Sequence, residues 1–298
     1  MDFSGIYPAL TTPFAHDGSV SLGDLKHNIH KYNGTDLAGY VVVGSTGESV
    51  LLSREEIDGI LVTVKEAASK EKKLIAGCGA EGTADTIERT KRAAVLGYHA
   101  GLIKTPHYYK PLYKPEALVA HYRSVADASP IPVMLYSVPI FTGIALEAPQ
   151  IIALAEHPNI IGIKDSAGDV RRVAEVLAAV PSKFQVFVGG ATMVYPCLAM
   201  GIRGAVLALA SALPEKCAAL YQLFRVGQHE KARELHNLLV RCSKMIVSDS
   251  GIPAVKFVMD QRGYRGGVPR LPIPPLHEEQ KKRLMELLGT LEPAAARV

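Results

Sequence analysis

Eight short apolar runs alternate with longer segments of helical pattern along most of this sequence. The runs span residues 6–11, 39–43, 73–76, 100–103, 131–136, 160–164, 185–188 and 204–207. Short apolar runs bounded by glycine and proline are typical of strands that are buried on both faces. Strands that alternate with helices form a parallel sheet, and eight strands are the number at which such a sheet closes into a barrel. The sequence therefore predicts an α/β fold, a (β/α)₈ TIM barrel.

The chain beyond the predicted barrel is helical in pattern. We assign residues 1–225 to a (β/α)₈ catalytic barrel and residues 226–298 to a C-terminal α-helical domain. The helices expected in this extension span residues 228–247, 250–262 and 277–289. Residues 263–275, rich in glycine and proline, separate the last two helices, and residues 292–298 are expected to form a loose tail.

Local signals mark several helix starts. Ser21 to Asp24 and Ser53 to Glu56 each predict a capping box, in which the first and fourth residues satisfy each other's free backbone amides. Pro115 and Pro214 are suited to the first turns of two further helices.

The composition is that of a packed protein with no pattern for nucleic acid or membrane binding. Hydrophobic residues make up 48% and charged residues 21%, as in a chain with a sizeable core. The net charge of +4 is scattered, without the basic stripe typical of nucleic-acid binding. No apolar run approaches the roughly 20 residues that cross a bilayer. With no signal-peptide pattern and four cysteines outside any C-x-x-C pair, we expect a cytoplasmic protein with reduced thiols.

Active sites of such barrels lie at the carboxyl ends of the strands, which directs attention to Lys164. This lysine ends an otherwise apolar strand, where an ammonium ion is poorly solvated and the neutral amine is favoured. A neutral amine is the form that attacks a carbonyl carbon. By strand alternation Lys164 shares a face with Gly162, whose missing side chain is expected to leave room. The alternative is a lysine that points outward and pairs with Asp165.

Polar residues mark the ends of two other strands as well, the neighbouring fifth strand and the second. The Tyr136 phenol can exchange a proton with a substrate hydroxyl, although a strand-end tyrosine is also common in cores. Ser45 and Thr46 lie between Gly44 and Gly47, which allow a tight turn whose amides and hydroxyls converge on a carboxylate. The alternative is an ordinary connection between a strand and a helix.

Two further segments give weaker signals. Tyr108 and Tyr109 belong to a proline-rich loop, which suggests a subunit contact, a site-lining loop or ordinary packing. Gly189 and Gly190 resemble a helix start that holds phosphate in many barrels, or glycines required by packing. The ten histidines form no H-x-H or H-x-x-x-H set, so no metal site is expected.

These segments together resemble the family of dihydrodipicolinate synthase and N-acetylneuraminate lyase over nearly the whole chain. The resemblance rests on four motifs: residues 44–48 (GSTGE), 105–109 (TPHYY), 135–139 (LYSVP) with 142–143 (TG), and 162–166 (GIKDS). The resemblance implies a barrel with a C-terminal helical domain, assembled as a homotetramer, a dimer of dimers. It also implies that no metal or organic cofactor is used, because a covalent lysine Schiff base with the substrate carries the chemistry.

Site residues follow from matching these motifs. Lys164 matches the family's Schiff-base lysine and Tyr136 the tyrosine beside it. Ser45 and Thr46 match the hydroxyls that hold the pyruvyl carboxylate and relay protons, and Tyr108 matches the tyrosine lent to the neighbouring subunit's site. Ser166, Gly189 and Phe141 are expected to complete the substrate site.

One departure concerns Phe141. Members that condense pyruvate with aspartate semialdehyde have an arginine shortly after the Tyr-x-x-Pro turn, where this chain has Phe141, which cannot clamp a carboxylate. Residues 135–139, 164–170, 251–253 and 263–267 are most similar to 4-hydroxy-2-oxoglutarate aldolase, although that subgroup usually has asparagine where this chain has Thr46.

The function expected from the sequence is therefore a Schiff-base pyruvate aldolase. Its small-molecule substrate would be a 4-hydroxy-2-oxo acid, such as 4-hydroxy-2-oxoglutarate or a 2-keto-3-deoxy sugar acid. Three alternatives stay open: dihydrodipicolinate synthase itself, a barrel enzyme that binds a phosphorylated ligand at Gly189 and Gly190, and a non-catalytic 2-oxo acid binder.

Overall fold

The structure, a computed structural model, describes residues 1–291, so the tail predicted at 292–298 lies outside the described residues. Within the described part, eight parallel strands form one sheet in the order β1-β8-β7-β6-β5-β4-β3-β2. The strands are β1 (Gly5–Pro8), β2 (Gly39–Val42), β3 (Lys73–Gly77), β4 (Ala100–Lys104), β5 (Val133–Ser137), β6 (Ile160–Asp165), β7 (Gln185–Val188) and β8 (Gly204–Leu207). Each coincides with one of the predicted apolar runs.

The barrel closes between its first and second strands. β1 pairs in parallel with β8, and a parallel bridge between Ala9 and Val41 joins the end of β1 to β2. The amide of Leu10 donates to the Val41 carbonyl over 3.0 Å, and that of Ala38 donates to the Ile6 carbonyl over 2.9 Å. The predicted TIM barrel is therefore confirmed, with its last seam made by these few hydrogen bonds.

Helices cover the outside of the barrel and form the C-terminal extension. They are α1 (Leu22–Asn33), α2 (Arg54–Ala67), α3 (Thr83–Val95), α4 (Pro115–Ala128), α5 (Pro139–Thr142), α6 (Ala148–Ala155), α7 (Val170–Ala179), α8 (Val194–Met200), α9 (Leu209–Ala212), α10 (Pro214–Arg225), α11 (His229–Ser243), α12 (Gly251–Gln261) and α13 (Glu278–Leu291). A π-helical turn, Lys244–Ser248, lies between α11 and α12. In the part of the chain described, no helix has the length and apolar character that a bilayer crossing requires.

The three helices of the extension agree with the three predicted ones. Because α11 packs directly against α8 and α10 of the barrel, the extension and the barrel share one hydrophobic core. The boundary at 225/226 stays a prediction, although it falls between the end of α10 and the start of α11.

Of the two predicted capping boxes, one forms. At the start of α2 the Ser53 hydroxyl accepts from the Glu56 amide, and the Glu56 carboxylate accepts from the Ser53 amide over 2.8 Å. The box predicted at Ser21 is wrong. Its hydroxyl instead donates to the Asp24 carboxylate over 2.7 Å, and that carboxylate also accepts from Arg265 of the extension over 2.7 Å. A distant partner has therefore taken the group that a local cap would use.

The core has two layers. Inside the barrel, side chains from successive strands fill the interior, among them Tyr7, Leu102, Met134 and Phe187. The Tyr7 and Phe187 rings meet edge to face with their centroids 6.2 Å apart. The larger second layer lies between the strands and the helices and continues into the extension. Burial of the strands on both faces explains why their sequences are apolar throughout rather than alternating.

A β-bulge sets the phase of β6. Val133 pairs with Ile160 but Met134 pairs with Gly162, so Ile161 is an extra residue with no partner on β5. Gly162 shares the inward face of Lys164, as expected. Its missing side chain does not leave room, however, because a Cβ there would lie 2.2 Å from the Gln185 carbonyl oxygen of β7. Glycine is required at this position by the close approach of a neighbouring strand.

A buried ion pair fastens the extension to the barrel. The Lys256 ammonium of α12 lies 2.6 Å from the Glu48 carboxylate, and the two side chains are 1% and 0% exposed. The Arg270 amide donates to the second oxygen of Glu48 over 2.8 Å, and Lys256 donates to the Val268 carbonyl over 2.7 Å. Burial lowers the pKa of Lys256, and the neighbouring Glu48 carboxylate opposes that shift.

Lys256→Met is expected to reduce the free energy of unfolding by about 3–5 kcal/mol, because it leaves the Glu48 carboxylate buried without a counter-charge. The double variant Glu48→Gln/Lys256→Met should recover most of this loss, since it buries no unpaired charge. Denaturant unfolding of each variant measures the effect. Lys244→Met is the control, because the Lys244–Asp249 pair is exposed and worth less than about 1 kcal/mol. Equal losses from both single variants would contradict this assignment.

Candidate active site

A cavity of about 650 Å³ opens at the carboxyl ends of the barrel strands and is walled on its other side by the C-terminal extension. Seven of the eight predicted site residues line it: Ser45, Thr46, Tyr136, Phe141, Lys164, Ser166 and Gly189. The parallel barrel is what gathers them, because these residues are far apart in sequence yet all follow or end strands at the same rim.

Lys164 and Tyr136 are paired across β5 and β6 at the floor of this cavity. The Lys164 amine lies 4.1 Å from the centroid of the Tyr136 ring, and the residues are 4% and 5% exposed. Within residues 1–291 the amine forms no hydrogen bond or ion pair. The alternative of a Lys164–Asp165 pair is not observed, because Arg172 binds both oxygens of Asp165 over 2.8 Å. The lysine is therefore left facing the cavity.

The Ser45–Gly47 turn brings hydroxyls to the same place. The Ser45 hydroxyl oxygen lies 3.4 Å from the Tyr136 phenol oxygen, and Thr46 lines the cavity beside it. This short 3₁₀ turn places the hydroxyl-bearing residues Ser45 and Thr46 side by side in the cavity lining, an arrangement suited to an anion.

The turn is strained at positions that the sequence did not indicate. Glycine was expected to supply the unusual backbone angles, but Gly44 has φ −86°. The left-handed residues are Val43, with φ 58°, and Glu48, with φ 56°. For a β-branched valine this conformation is costly and persists only where the surroundings impose it. For Glu48 the surroundings include the buried Lys256 described above.

Gly47 is needed for a close approach instead. A Cβ at this position would lie 3.0 Å from the Leu10 carbonyl oxygen at the end of β1. The Thr12 hydroxyl donates to the Gly47 carbonyl over 2.7 Å, which fixes the turn against the first strand.

Gly189 and Ser166 are packed against each other across β6 and β7. A Cβ on Gly189 would lie 1.8 Å from the Ser166 hydroxyl oxygen. The Gly189 amide donates to the Asp165 carbonyl over 2.7 Å, so it is already occupied and is not free to hold a phosphate. Glycine is therefore required at position 189 by tight packing, which was one of the two interpretations of the Gly189–Gly190 pair.

Tyr108 does not line the cavity of its own chain and is 75% exposed. Its loop is held by Glu81, whose carboxylate accepts from the amides of His107 and Tyr108 and from the Lys104 ammonium over 2.8–2.9 Å. Burial acts to raise the pKa of Glu81, but these donors outweigh it and lower the pKa to about 2. The loop is thus anchored at its base while its tyrosines project outward.

The extension contributes a wall that sequence reasoning did not assign to the site. Val247, Ser248, Ser250 and Ile252, from the π turn and the start of α12, line the cavity, as do residues 273–277 before α13. No local signal marks them, because they meet the barrel rim only through the folding of the extension. Across residues 1–291, no group of three or more His, Cys, Asp or Glu side chains is arranged to hold a metal ion.

Comparison with known proteins identifies the family. The model of the dihydrodipicolinate synthetase family matches residues 2–291. The chain belongs to this family. It is 35% identical to a 4-hydroxy-tetrahydrodipicolinate synthase of Exiguobacterium sp. over 96% of this chain and 97% of that protein. A second such synthase, from Methanothrix thermoacetophila, is 33% identical over 96% of each chain.

Solved structures of dihydrodipicolinate synthetase family members agree with the fold. A dihydrodipicolinate synthase from Bacillus anthracis superimposes with a TM-score of 0.93 at 30% identity, covering 98% of this chain and 100% of that one. The protein CdNal of Clostridium difficile, solved with mannosamine, gives 0.90 at 26% identity and covers 97% and 99%. As a family member the protein is an enzyme, a carbon–carbon lyase.

Gly189→Ala should distort the cavity of this family member, because its new methyl group overlaps the Ser166 side chain. We expect a loss of about 1–3 kcal/mol in the free energy of unfolding, as for other overpacked sites. Gly190→Ala is the matched control, since the nearest atom to its Cβ is the Thr192 hydroxyl oxygen at 3.7 Å. Calorimetry of both variants measures the difference, and an equally stable Gly189→Ala would show that Ser166 moves freely.

Proposed function

We propose that Lys164 forms a Schiff base with a 2-oxo acid and that the protein cleaves or forms a 4-hydroxy-2-oxo acid. The observation that carries this proposal is a buried amine that has no hydrogen-bonding partner among residues 1–291 and faces a cavity beside the Tyr136 phenol. The sequence motifs favour 4-hydroxy-2-oxoglutarate and 2-keto-3-deoxy sugar acids as members of this substrate class. Both contain the pyruvyl unit that an amine can activate.

The first step is attack of the neutral Lys164 amine on the C2 carbonyl, which expels water and leaves an iminium. Ser45, Thr46 and the amides of their turn hold the C1 carboxylate, which places C2 within reach of the amine. Ser166 contacts the distal part of the substrate, and Gly189 keeps the floor beside it free of side chain. No metal or organic cofactor is needed, because the iminium itself is the electron sink.

The second step breaks the C3–C4 bond. Tyr136 takes the proton from the C4 hydroxyl, the C3–C4 electron pair moves toward the iminium, and an aldehyde leaves. Protonation of the resulting enamine at C3 and hydrolysis by water release pyruvate and the free lysine. The Ser45 hydroxyl, 3.4 Å from the Tyr136 oxygen, passes the proton onward. A positioned acid or base of this kind contributes about 10²–10⁴ in rate.

Tyr108 extends this relay between subunits. We propose that the protein works in the cytoplasm as a homotetramer, a dimer of dimers, in which Tyr108 reaches the active site of a neighbouring subunit. Its 75% exposure and its absence from the cavity of its own chain support this arrangement, since a large exposed aromatic side chain is typical of a subunit interface.

Dihydrodipicolinate synthase activity is a second candidate, because it is the activity in the names of the similar proteins from Exiguobacterium and Methanothrix. That reaction joins pyruvate to aspartate semialdehyde, whose carboxylate needs a cationic clamp. Phe141 stands where the arginine of such members is expected, and no arginine lines the cavity within residues 1–291. The comparisons thus favour the synthase, whereas the cavity chemistry favours an aldolase with a different aldehyde.

The two remaining alternatives have less support. A phosphorylated ligand at Gly189 and Gly190 would need the Gly189 amide, which is bonded to Asp165. A non-catalytic 2-oxo acid binder would not require a tyrosine beside the lysine, nor a hydroxyl within reach of that tyrosine.

Borohydride reduction in the presence of pyruvate should attach a three-carbon adduct to Lys164, because hydride reduces an iminium to a stable amine. Peptide mass mapping locates the adduct, and Lys164→Ala is expected to lose it. In Tyr136→Phe the adduct should persist while cleavage of 4-hydroxy-2-oxo acids slows by about 10²–10⁴, since only proton transfer is removed. Wild-type protein without an adduct, or activity lost on chelation of metals, would exclude this mechanism.

The variant Phe141→Arg distinguishes the aldolase from the synthase. If the protein is an aldolase whose cavity lacks a carboxylate clamp, the wild type consumes pyruvate slowly with aspartate semialdehyde. Phe141→Arg then raises kcat/KM for that pair by at least about tenfold, because the arginine forms a bidentate hydrogen bond with the carboxylate. Phe141→Leu controls for the change of shape and should give no increase. Fast turnover by the wild type, unchanged in Phe141→Arg, would establish the synthase instead.

A further inference from the structure

The wall opposite Lys164 carries large apolar side chains that the core does not use. Ile140 and Phe141 follow β5 and are 81% and 62% exposed, and Ile252 at the start of α12 is half-buried. All three line the cavity, and none packs against either core layer within residues 1–291. Exposed apolar side chains that converge on one cavity mark a surface that binds an apolar partner.

The same wall is almost free of charge. Among the described residues that line the cavity, Lys164 is the only lysine, arginine, aspartate or glutamate. In the mechanism proposed above, the Lys164 nitrogen is bonded covalently to C2 of the substrate, so it is not free to bind a second anionic group. A second carboxylate or a phosphate on the substrate would therefore leave water without a cationic partner from its own chain, which is strongly unfavourable.

Neighbouring guanidinium groups are already engaged. Arg172 binds both oxygens of the buried Asp165, and Arg270 binds the Glu56 carboxylate and the Leu51 carbonyl. Either arginine would have to break an ion pair to reach a ligand in the cavity. The polar side chains that remain on the wall are the hydroxyls of Ser248 and Ser250, the imidazole of His277 and the amide of Gln280, whose oxygen already accepts from the His277 backbone amide.

We infer that the aldehyde half of the substrate is an uncharged, largely apolar group, an aliphatic or aromatic aldehyde without a carboxylate or phosphate. This inference rests on the proposed Schiff-base function and narrows it. It sets aside dicarboxylic substrates such as 4-hydroxy-2-oxoglutarate and also the 2-keto-3-deoxy sugar acids, whose aldehyde half is rich in hydroxyl groups. In the synthetic direction, C3 of the lysine-bound pyruvate enamine attacks the aldehyde carbon. The carbonyl oxygen takes a proton to become the C4 hydroxyl, and water hydrolyses the iminium to release the 4-hydroxy-2-oxo acid.

A matched pair of aldehydes tests the inference. Butanal and succinic semialdehyde have the same four-carbon chain, ending in a methyl group or a carboxylate. Pyruvate consumption by the full chain is measured with each at pH 8, where an ordinary imidazole is neutral, and borohydride trapping on Lys164 is run in parallel. We expect kcat/KM to be at least about tenfold higher for butanal, the difference that an unpaired polar group typically makes.

A variant of the wall gives an independent readout. Ile252→Ser should lower kcat/KM for butanal by about tenfold without lowering that for succinic semialdehyde, because it removes apolar contact only. Val95→Ser on α3 is the control, since Val95 is 79% exposed and lies outside the cavity lining, and it should leave both values unchanged.

Each outcome decides the matter. If an adduct is trapped on Lys164 but succinic semialdehyde is the preferred substrate, or neither aldehyde is consumed, the apolar assignment is overturned and Schiff-base formation stands. Absence of a trapped adduct would overturn the proposed function together with the inference that rests on it.

Discussion

The ion pair between Glu48 and Lys256 connects the barrel to the C-terminal extension, directly beside the turn that contains Ser45 and Thr46. Glu48 ends the turn that presents Ser45 and Thr46, and its backbone is left-handed with φ 56°. A carboxylate with no exposed surface needs a counter-charge, and Lys256 of the extension supplies it. The same α12 brings its first residues to the barrel rim, where they line the cavity. This buried contact therefore links the Ser45–Gly47 turn to the wall that the extension forms.

The barrel and the position of Lys164 could be predicted because both depend on local pattern. Each strand is an apolar run bounded by turn residues, and topology alone places strand ends on one rim. The errors have a common cause in partners distant in sequence. Ser21 forms no capping box because its amide donates to the Pro13 carbonyl and Asp24 binds Arg265. Gly162 is required by β7 rather than by the substrate. The strained residue Val43 and the wall formed by the extension carry no local signal at all.

Family membership and substrate choice depend on different parts of the molecule. The similarity extends over 96% of this chain and 97% of its relative from Exiguobacterium, so it includes both the barrel and the extension. In the proposed function, the aldehyde would contact the few side chains on the opposite wall, and a change at one of them, such as Phe141, hardly alters overall identity. The names of similar proteins therefore carry more weight for the formation of a pyruvyl Schiff base than for the aldehyde that it meets.

The packing makes this division physically reasonable. Tyr136 and Lys164 are buried in strands whose neighbours fix them on several sides, and even the glycines beside them are constrained by close backbone contacts. By contrast Ile140, Phe141 and Ile252 lie outside both core layers. Substitution there removes little buried surface and changes stability little, while it changes the polarity of the cavity directly. A barrel of this kind can therefore change the polarity of its cavity without altering the buried framework that holds Lys164 and Tyr136.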